Sequence, residues 1–175
     1  MDILRLLPQI IDFYSFSNLW FWIALAVMWS RASHFVLGVP WDLVARARRS
    51  QDPQVIRDVC TLAAIHARRI GHITRTGGTL LTGAVFCALS LLVVLGFHYG
   101  LHLAQALALL LVPAMLIAAL ARRACLRIEQ QPGPEETFAL IARHRFFVQL
   151  IGMIAIFVTS MWGMYQNLSA SFLGN

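Results

Sequence analysis

Four apolar runs, at roughly residues 16–37, 79–97, 101–120 and 146–165, organise this chain. Each is about twenty residues long, the length at which an α-helix crosses the hydrocarbon core of a bilayer. They predict an all-α fold, an integral membrane four-helix bundle with cytoplasmic loops at 38–76 and 121–145. The turn between spans two and three, His98-Tyr99-Gly100, is short enough to make them an antiparallel hairpin, and Pro113 should kink span three. Small residues form stripes on two spans. Thr79, Gly83, Cys87 and Ser90 lie on span two, and Gly152, Ala155, Thr159 and Gly163 on span four. Such stripes let helix backbones approach closely in lipid.

The polar segments have helical periods of their own. In residues 2–14, Asp2, Arg5, Gln9 and Asp12 fall on one face, with Ile3, Leu6, Leu7, Ile10 and Phe13 opposite. This predicts an amphipathic helix in the membrane interface, weakened by Pro8. Asp52-Pro53 reads as a helix start, a capping carboxylate followed by proline at the first helical position. Beyond it, Val55, Val59, Leu62, Ala63, His66, Ile70 and Ile73 repeat on one face and Arg57, Thr61, Arg68, His72 and Arg75 on another. This basic amphipathic helix should lie on the inner leaflet or extend span two, bending into the membrane at Gly77-Gly78. The tract Gln130-Gln131-Pro132-Gly133-Pro134 is a turn, with a helix restarting near Glu135. A polar tail follows Gln166.

Charge gives the orientation. All but Arg5 and Arg31 of the fourteen basic residues lie in two stretches. Arg46, Arg48, Arg49, Arg57, Arg68, Arg69 and Arg75 separate spans one and two. Arg122, Arg123, Arg127, Arg143 and Arg145 separate spans three and four. Basic residues accumulate in loops that stay cytoplasmic, so both ends are expected outside. Aromatic clusters mark the two interfaces of span one: Tyr14, Phe16, Trp20, Phe21 and Trp22 at the outer end, Trp29, Phe35 and Trp41 at the inner. The chain is 59% hydrophobic and 13% charged, against about half and a quarter in soluble domains, and the net charge of +6 is carried by Arg beside the spans. It points to anionic headgroups rather than nucleic acid. The N-terminus lacks a cleavage pattern, so span one should be a retained anchor.

Candidate chemistry is sparse. Cys60, Cys87 and Cys125 form no C-x-x-C pair and are expected to be packing residues without metal or disulfide. The spans contain no Asp or Glu of the kind transporters place at mid-depth. There is no nucleophile elbow, phosphate-binding glycine loop or carboxylate pair, so no catalytic residues are assigned. A haem b held by two histidines is one alternative, with His34 and His144 as an inner pair and His98 and His102 as an outer one. The placement is poor: His98 and His102 sit at span ends and His144 lies between two arginines in a loop. The spacing of His98 and His102 would suit a metal, but Gly100 between them argues for a turn. No cofactor is therefore expected. Arg31 and His34 share a face near the inner end of span one. Arg31 should snorkel to the inner headgroups, with an intramembrane pair as the alternative.

The stretch Phe13-Tyr14-Ser15-Phe16-Ser17-Asn18-Leu19-Trp20-Phe21-Trp22, continued by Ser33-His34-Phe35-Val36-Leu37-Gly38-Val39-Pro40-Trp41-Asp42-Leu43, resembles a small uncharacterised family of alphaproteobacterial four-span inner-membrane proteins. Some of its members are labelled "component of SufBCD complex", an iron–sulfur assembly factor. The resemblance covers mainly the first third of the chain and carries over no activity and no functional residues. It implies a bacterial inner membrane, periplasmic ends and an accessory role, with a respiratory or photosynthetic complex as a conceivable host. The expected function is a non-enzymatic accessory or scaffold subunit docking on a larger membrane complex. Contact would run through Arg31 and His34 and the basic helix bearing Arg57, Arg68, Arg69 and Arg75. A haem-b redox protein and a small transporter subunit are the alternatives.

Overall fold

A computed structural model describes residues 19–173, with side chains through residue 168. The expected interfacial segment at 2–14 and the start of span one lie outside the described residues. Five α-helices carry the fold: α1 (Leu19–His34), α2 (Trp41–Ser50), α3 (Pro53–Val93), α4 (His102–Ile128) and α5 (Pro134–Leu173). A two-stranded antiparallel hairpin, β1 (Phe35–Val36) with β2 (Val39–Pro40), separates α1 from α2. A π-helical turn, Val94–His98, closes the outer end of α3.

Three helical stretches are long and apolar enough to cross a membrane: Pro53–His98, His102–Ile128 and Pro134–Leu168. They are the expected spans two, three and four. Expected span one is represented by α1, which ends at His34, so that 35–37 fall in the hairpin instead; its 16 described residues reach about 24 Å at 1.5 Å per residue, short of a hydrocarbon core of about 30 Å.

The loops of the sequence reading are mostly helix. Asp52 caps α3 as expected, its carboxylate accepting from the Gln54 amide at 2.9 Å. From there α3 runs unbroken for 41 residues, so the bend expected at Gly77-Gly78 does not form. Each glycine costs a helix only about 1 kcal/mol relative to alanine, whereas opening the backbone beside lipid orphans groups worth more. The basic amphipathic helix is thus continuous with the expected span two. Likewise α4 runs through Pro113 to Ile128, and α5 begins at Pro134, one residue from the expected restart. The polar tail expected after Gln166 is helical through Leu173.

The main core lies at the end of the bundle that carries the hairpin rather than within the expected spans. Val36, Leu37 and Val39 from the hairpin and Val44 and Ala47 from α2 pack on Val55, Val59, Ala63 and Ala67 of α3. Cys125 and Ile128 of α4 and Leu140 and Ile141 of α5 close the cluster. Val55, Val59 and Ala63 belong to the apolar face read from the sequence, whereas Ala67 does not, and Leu62 and Ile73 of that face are exposed. The sequence pattern does not show the hairpin: its turn places Leu37 at φ 52° and Gly38 at φ 78°, and tucks Gly38 against His66. A side chain at Gly38 would place its Cβ 2.5 Å from His66 Cγ.

A second, smaller cluster joins α1 to α5. Trp29 and Leu25 pack with Ala155, and a Cβ on Gly152 would come within 2.9 Å of the Trp29 ring. Gly152, Ala155, Thr159 and Gly163 are all buried, so the stripe on α5 is used inside the molecule. The stripe on α3 is the reverse: Thr79, Gly83, Cys87 and Ser90 are all exposed, and nothing lies within 4 Å of where a Gly83 Cβ would be.

Candidate functional site

The cap at the hairpin end of the bundle gathers most of the charge. Arg31 and His34 end α1, the one with its guanidinium 5.6 Å from the Phe35 ring, the other 4.0 Å from the Asp42 carboxylate. Both are exposed, and no ion pair joins Arg31 to an acid among the described residues. Arg57, Arg68, Arg69 and Arg75 are likewise exposed, strung along about 27 Å of α3 rather than gathered at one point. Arg75 pairs with Glu129 at the end of α4. Gly71 lets that carboxylate close on α3, since a Cβ there would lie 2.7 Å from its Oε2. Arg48 of α2 donates to the Phe138 carbonyl of α5 at 3.5 Å.

Between α4 and α5, where the expected spans give way to their helical extensions, lies a cavity of about 310 Å³. Arg123 and Arg127 of α4 face it with Arg143 and His144 of α5, over Leu120 and Phe147. No acidic residue lines it. His144, expected in a watery loop, is instead 6% exposed and helical. Burial lowers its pKa below the ordinary 6.5, so it is neutral at pH 7. His66 is lowered too, by burial and then by the Arg69 charge. Burial, aided by Glu129, pushes the Cys125 thiol up to about 11. Cys60, raised by burial, and Cys125 fit the packing role expected of them, but Cys87 stands exposed on α3.

A polar cluster sits at the outer end of the spans. The chain reverses after the π-helical turn, where Tyr99 N–H bonds to the Val94 carbonyl at 3.3 Å and Leu101 N–H to the Leu95 carbonyl at 3.2 Å. The Gly96 carbonyl is taken by Gln105 Nε2 at 2.9 Å. The Gln105 oxygen accepts from Trp162 Nε1 at 3.1 Å and from Gln166 Nε2 at 2.6 Å. Gln105 is buried and ties α3, α4 and α5 together. Gly96 permits the approach, because a Cβ there would lie 2.8 Å from the Gln105 amide nitrogen.

The histidines considered as haem or metal ligands are not assembled into a site. His34 sits by Asp42, while His144 lines the α4–α5 cavity, and no hydrogen bond or ring contact joins them. His98 packs on Tyr99 with ring centroids 5.1 Å apart. Among the described residues no three His, Cys, Asp or Glu side chains cluster as metal ligands. Comparison with protein-family models, with curated proteins and with solved structures finds no match.

Proposed function

We propose that this chain is a non-enzymatic accessory or scaffold subunit that docks on a larger complex of a bacterial inner membrane, both ends periplasmic. A respiratory or photosynthetic assembly is the host class considered. One observation carries the reading. Only 6% of the most apolar window of the Pro53–His98 stretch is buried within the chain, and the small-residue stripe Thr79, Gly83, Cys87 and Ser90 faces outward there. Small side chains bury little surface against lipid, but they allow another helix backbone to come close. The occupant of that face is a transmembrane helix of the host complex.

The cytoplasmic cap supports the same assignment. Its rigid apolar core presents exposed Arg31, His34, Arg57, Arg68 and Arg69 toward acidic partner surfaces or headgroups. The family resemblance in the first third of the chain points to the same membrane and role. The test is purification of the tagged chain from its native membrane in mild detergent, with mass spectrometry of what co-elutes. Stoichiometric recovery of a larger complex, lost in a Gly83→Leu variant, supports the docking face. Recovery of the chain alone at monomer or small-oligomer mass overturns the reading.

A further inference from the structure

We propose that the cavity between α4 and α5, lined by Arg123, Arg127, Arg143 and His144, is a binding site for the phosphate of an anionic phospholipid. Three observations meet there. The first is charge. Three arginines line one space with no acidic residue in its lining, and none has an ion-pair partner among the described residues. Guanidinium forks match phosphate oxygens two at a time, so the arrangement is complementary to a phosphate.

The second is depth. Leu120 and Phe147 stand at the inner ends of the expected spans three and four, and Arg127 lies seven residues beyond Leu120, about 10 Å along the helix. The cavity therefore crosses the level of the inner headgroups, with apolar walls toward the hydrocarbon and basic walls toward the cytoplasm. A free phosphate would use only the basic half. A phospholipid uses both, its acyl chains running along Leu120 and Phe147. The third is the state of His144. It is buried with the apolar wall and uncharged, so it can offer a ring N–H without adding a fourth repelling cation. Arg127 also borders the neighbouring groove with Glu136, which leaves Arg123 and Arg143 as the residues facing this cavity alone. The volume lies at the lower end of the range of about 300–1,000 Å³ usual for ligand clefts.

The test is native mass spectrometry of the purified full chain in dodecyl maltoside, titrated separately with dioleoylphosphatidylglycerol, dioleoylphosphatidylcholine and inorganic phosphate. One phosphatidylglycerol is expected to be retained with a preference of about tenfold over phosphatidylcholine. The Arg123→Gln/Arg143→Gln variant should abolish the preference, and Arg127→Gln should weaken it. A charge-matched control, Arg46→Gln/Arg49→Gln, removes two exposed cations from α2 and should leave it intact. Far-ultraviolet circular dichroism confirms that each variant is folded. Equal retention of the two lipids overturns the proposal. So does equal loss in the control, which would mean diffuse attraction, and so does displacement of the lipid by inorganic phosphate, which would mean a free-anion site.

Discussion

The guanidinium of Arg145 lies over the ring of Trp41, 3.8 Å from its centroid. Trp41 is the first residue of α2 and Arg145 stands on α5 just before the expected fourth span, so the pair pins the hairpin and α2 against the bundle. Arg145 Nε is buried without a hydrogen-bond partner, which leaves the ring face as the neighbour that compensates the cation. Replacing Trp41 with Leu is expected to lower stability by about 1–2 kcal/mol, and Trp41→Phe by less, because a phenyl ring keeps part of the interaction. Thermal unfolding of the detergent-solubilised variants checks the order. Equal loss for Phe and Leu would assign the effect to volume rather than to the cation.

Gly38 holds a conformation and a position that no other residue shares comfortably. Its φ of 78° is strained for an L side chain, and the space a Cβ needs is filled by the His66 ring. Gly38→Ala is expected to cost about 1–3 kcal/mol in stability. Part of that cost is the collision. Adding His66→Ala to Gly38→Ala should then destabilise by less than the sum of the single changes, whereas strict additivity would show that backbone strain alone matters.

At the outer end, Gln105 serves Gly96, Trp162 and Gln166 at once. Gln105→Leu removes the partner while leaving the Trp162 N–H and the Gly96 carbonyl buried. A loss of about 1–3 kcal/mol is expected from orphaning such groups, tempered because hydrogen bonds within membranes average only about 0.6 kcal/mol in double-mutant cycles. The indole emission of Trp162, read in a background lacking the other tryptophans, should shift when its N–H partner is lost. An unchanged spectrum and midpoint would place the α3–α4–α5 junction elsewhere.

Two histidines, the half-buried His66 and the buried His144, make the cap at the hairpin end acid-labile. His66 and His144 have folded pKa values below the ordinary 6.5, so the unfolded chain takes up protons more readily than the folded one. A depressed pKa contributes stability that is fully present above the unfolded value and is lost as pH falls toward the folded one. Burial alone lowers His144, whose cavity is also lined by Arg123, Arg127 and Arg143, while at His66 burial acts first and the Arg69 charge second. The unfolding midpoint should therefore fall as the pH drops below about 6.5, above the range where carboxylates titrate. His144→Gln should flatten that slope even if it lowers the midpoint. A slope that the substitution leaves untouched would remove His144 from the cause.

Much of this architecture is legible in the residues. Hydropathy places the three long membrane helices, Asp52-Pro53 marks the start of α3, and Pro134-Glu135 the start of α5. What escapes is set by tertiary contact. The hairpin depends on Leu37 accepting φ 52° because its side chain is buried, a preference no local propensity carries. Helix continuity through Gly77-Gly78 reflects the absence of water to satisfy a broken backbone. The cavity escapes for a different reason. Arg123 and Arg127 are four apart on α4, but Arg143 and His144 come from another helix, and only the turn at 129–133 brings them together. Gln105 did carry a signal, a single amide in an apolar run, and its partners Trp162 and Gln166 lie on α5 nearly sixty residues away.

The side of the membrane on which α1 begins follows from whether it crosses. Three helices meet the length for a span, while the described part of α1 is 16 residues with Arg31 near its inner end. Its His34 end is fixed beside the main core by the hairpin, and Trp29 and Leu25 pack along α5 at the buried Gly152 and Ala155. A helix held alongside a spanning helix over that length is expected to cross with it, the aromatic residues Trp20, Phe21 and Trp22 reaching the outer interface. An alkaline phosphatase fusion ahead of Leu19 should then be active, as should one after Asn175, and one in the turn at Gln131 inactive. Gly152→Leu should displace Trp29 and reduce activity of the first fusion without changing the second. An inactive first fusion in the unaltered chain would mean that α1 enters the membrane only partway, and would leave the protein with three crossings and its ends on opposite sides.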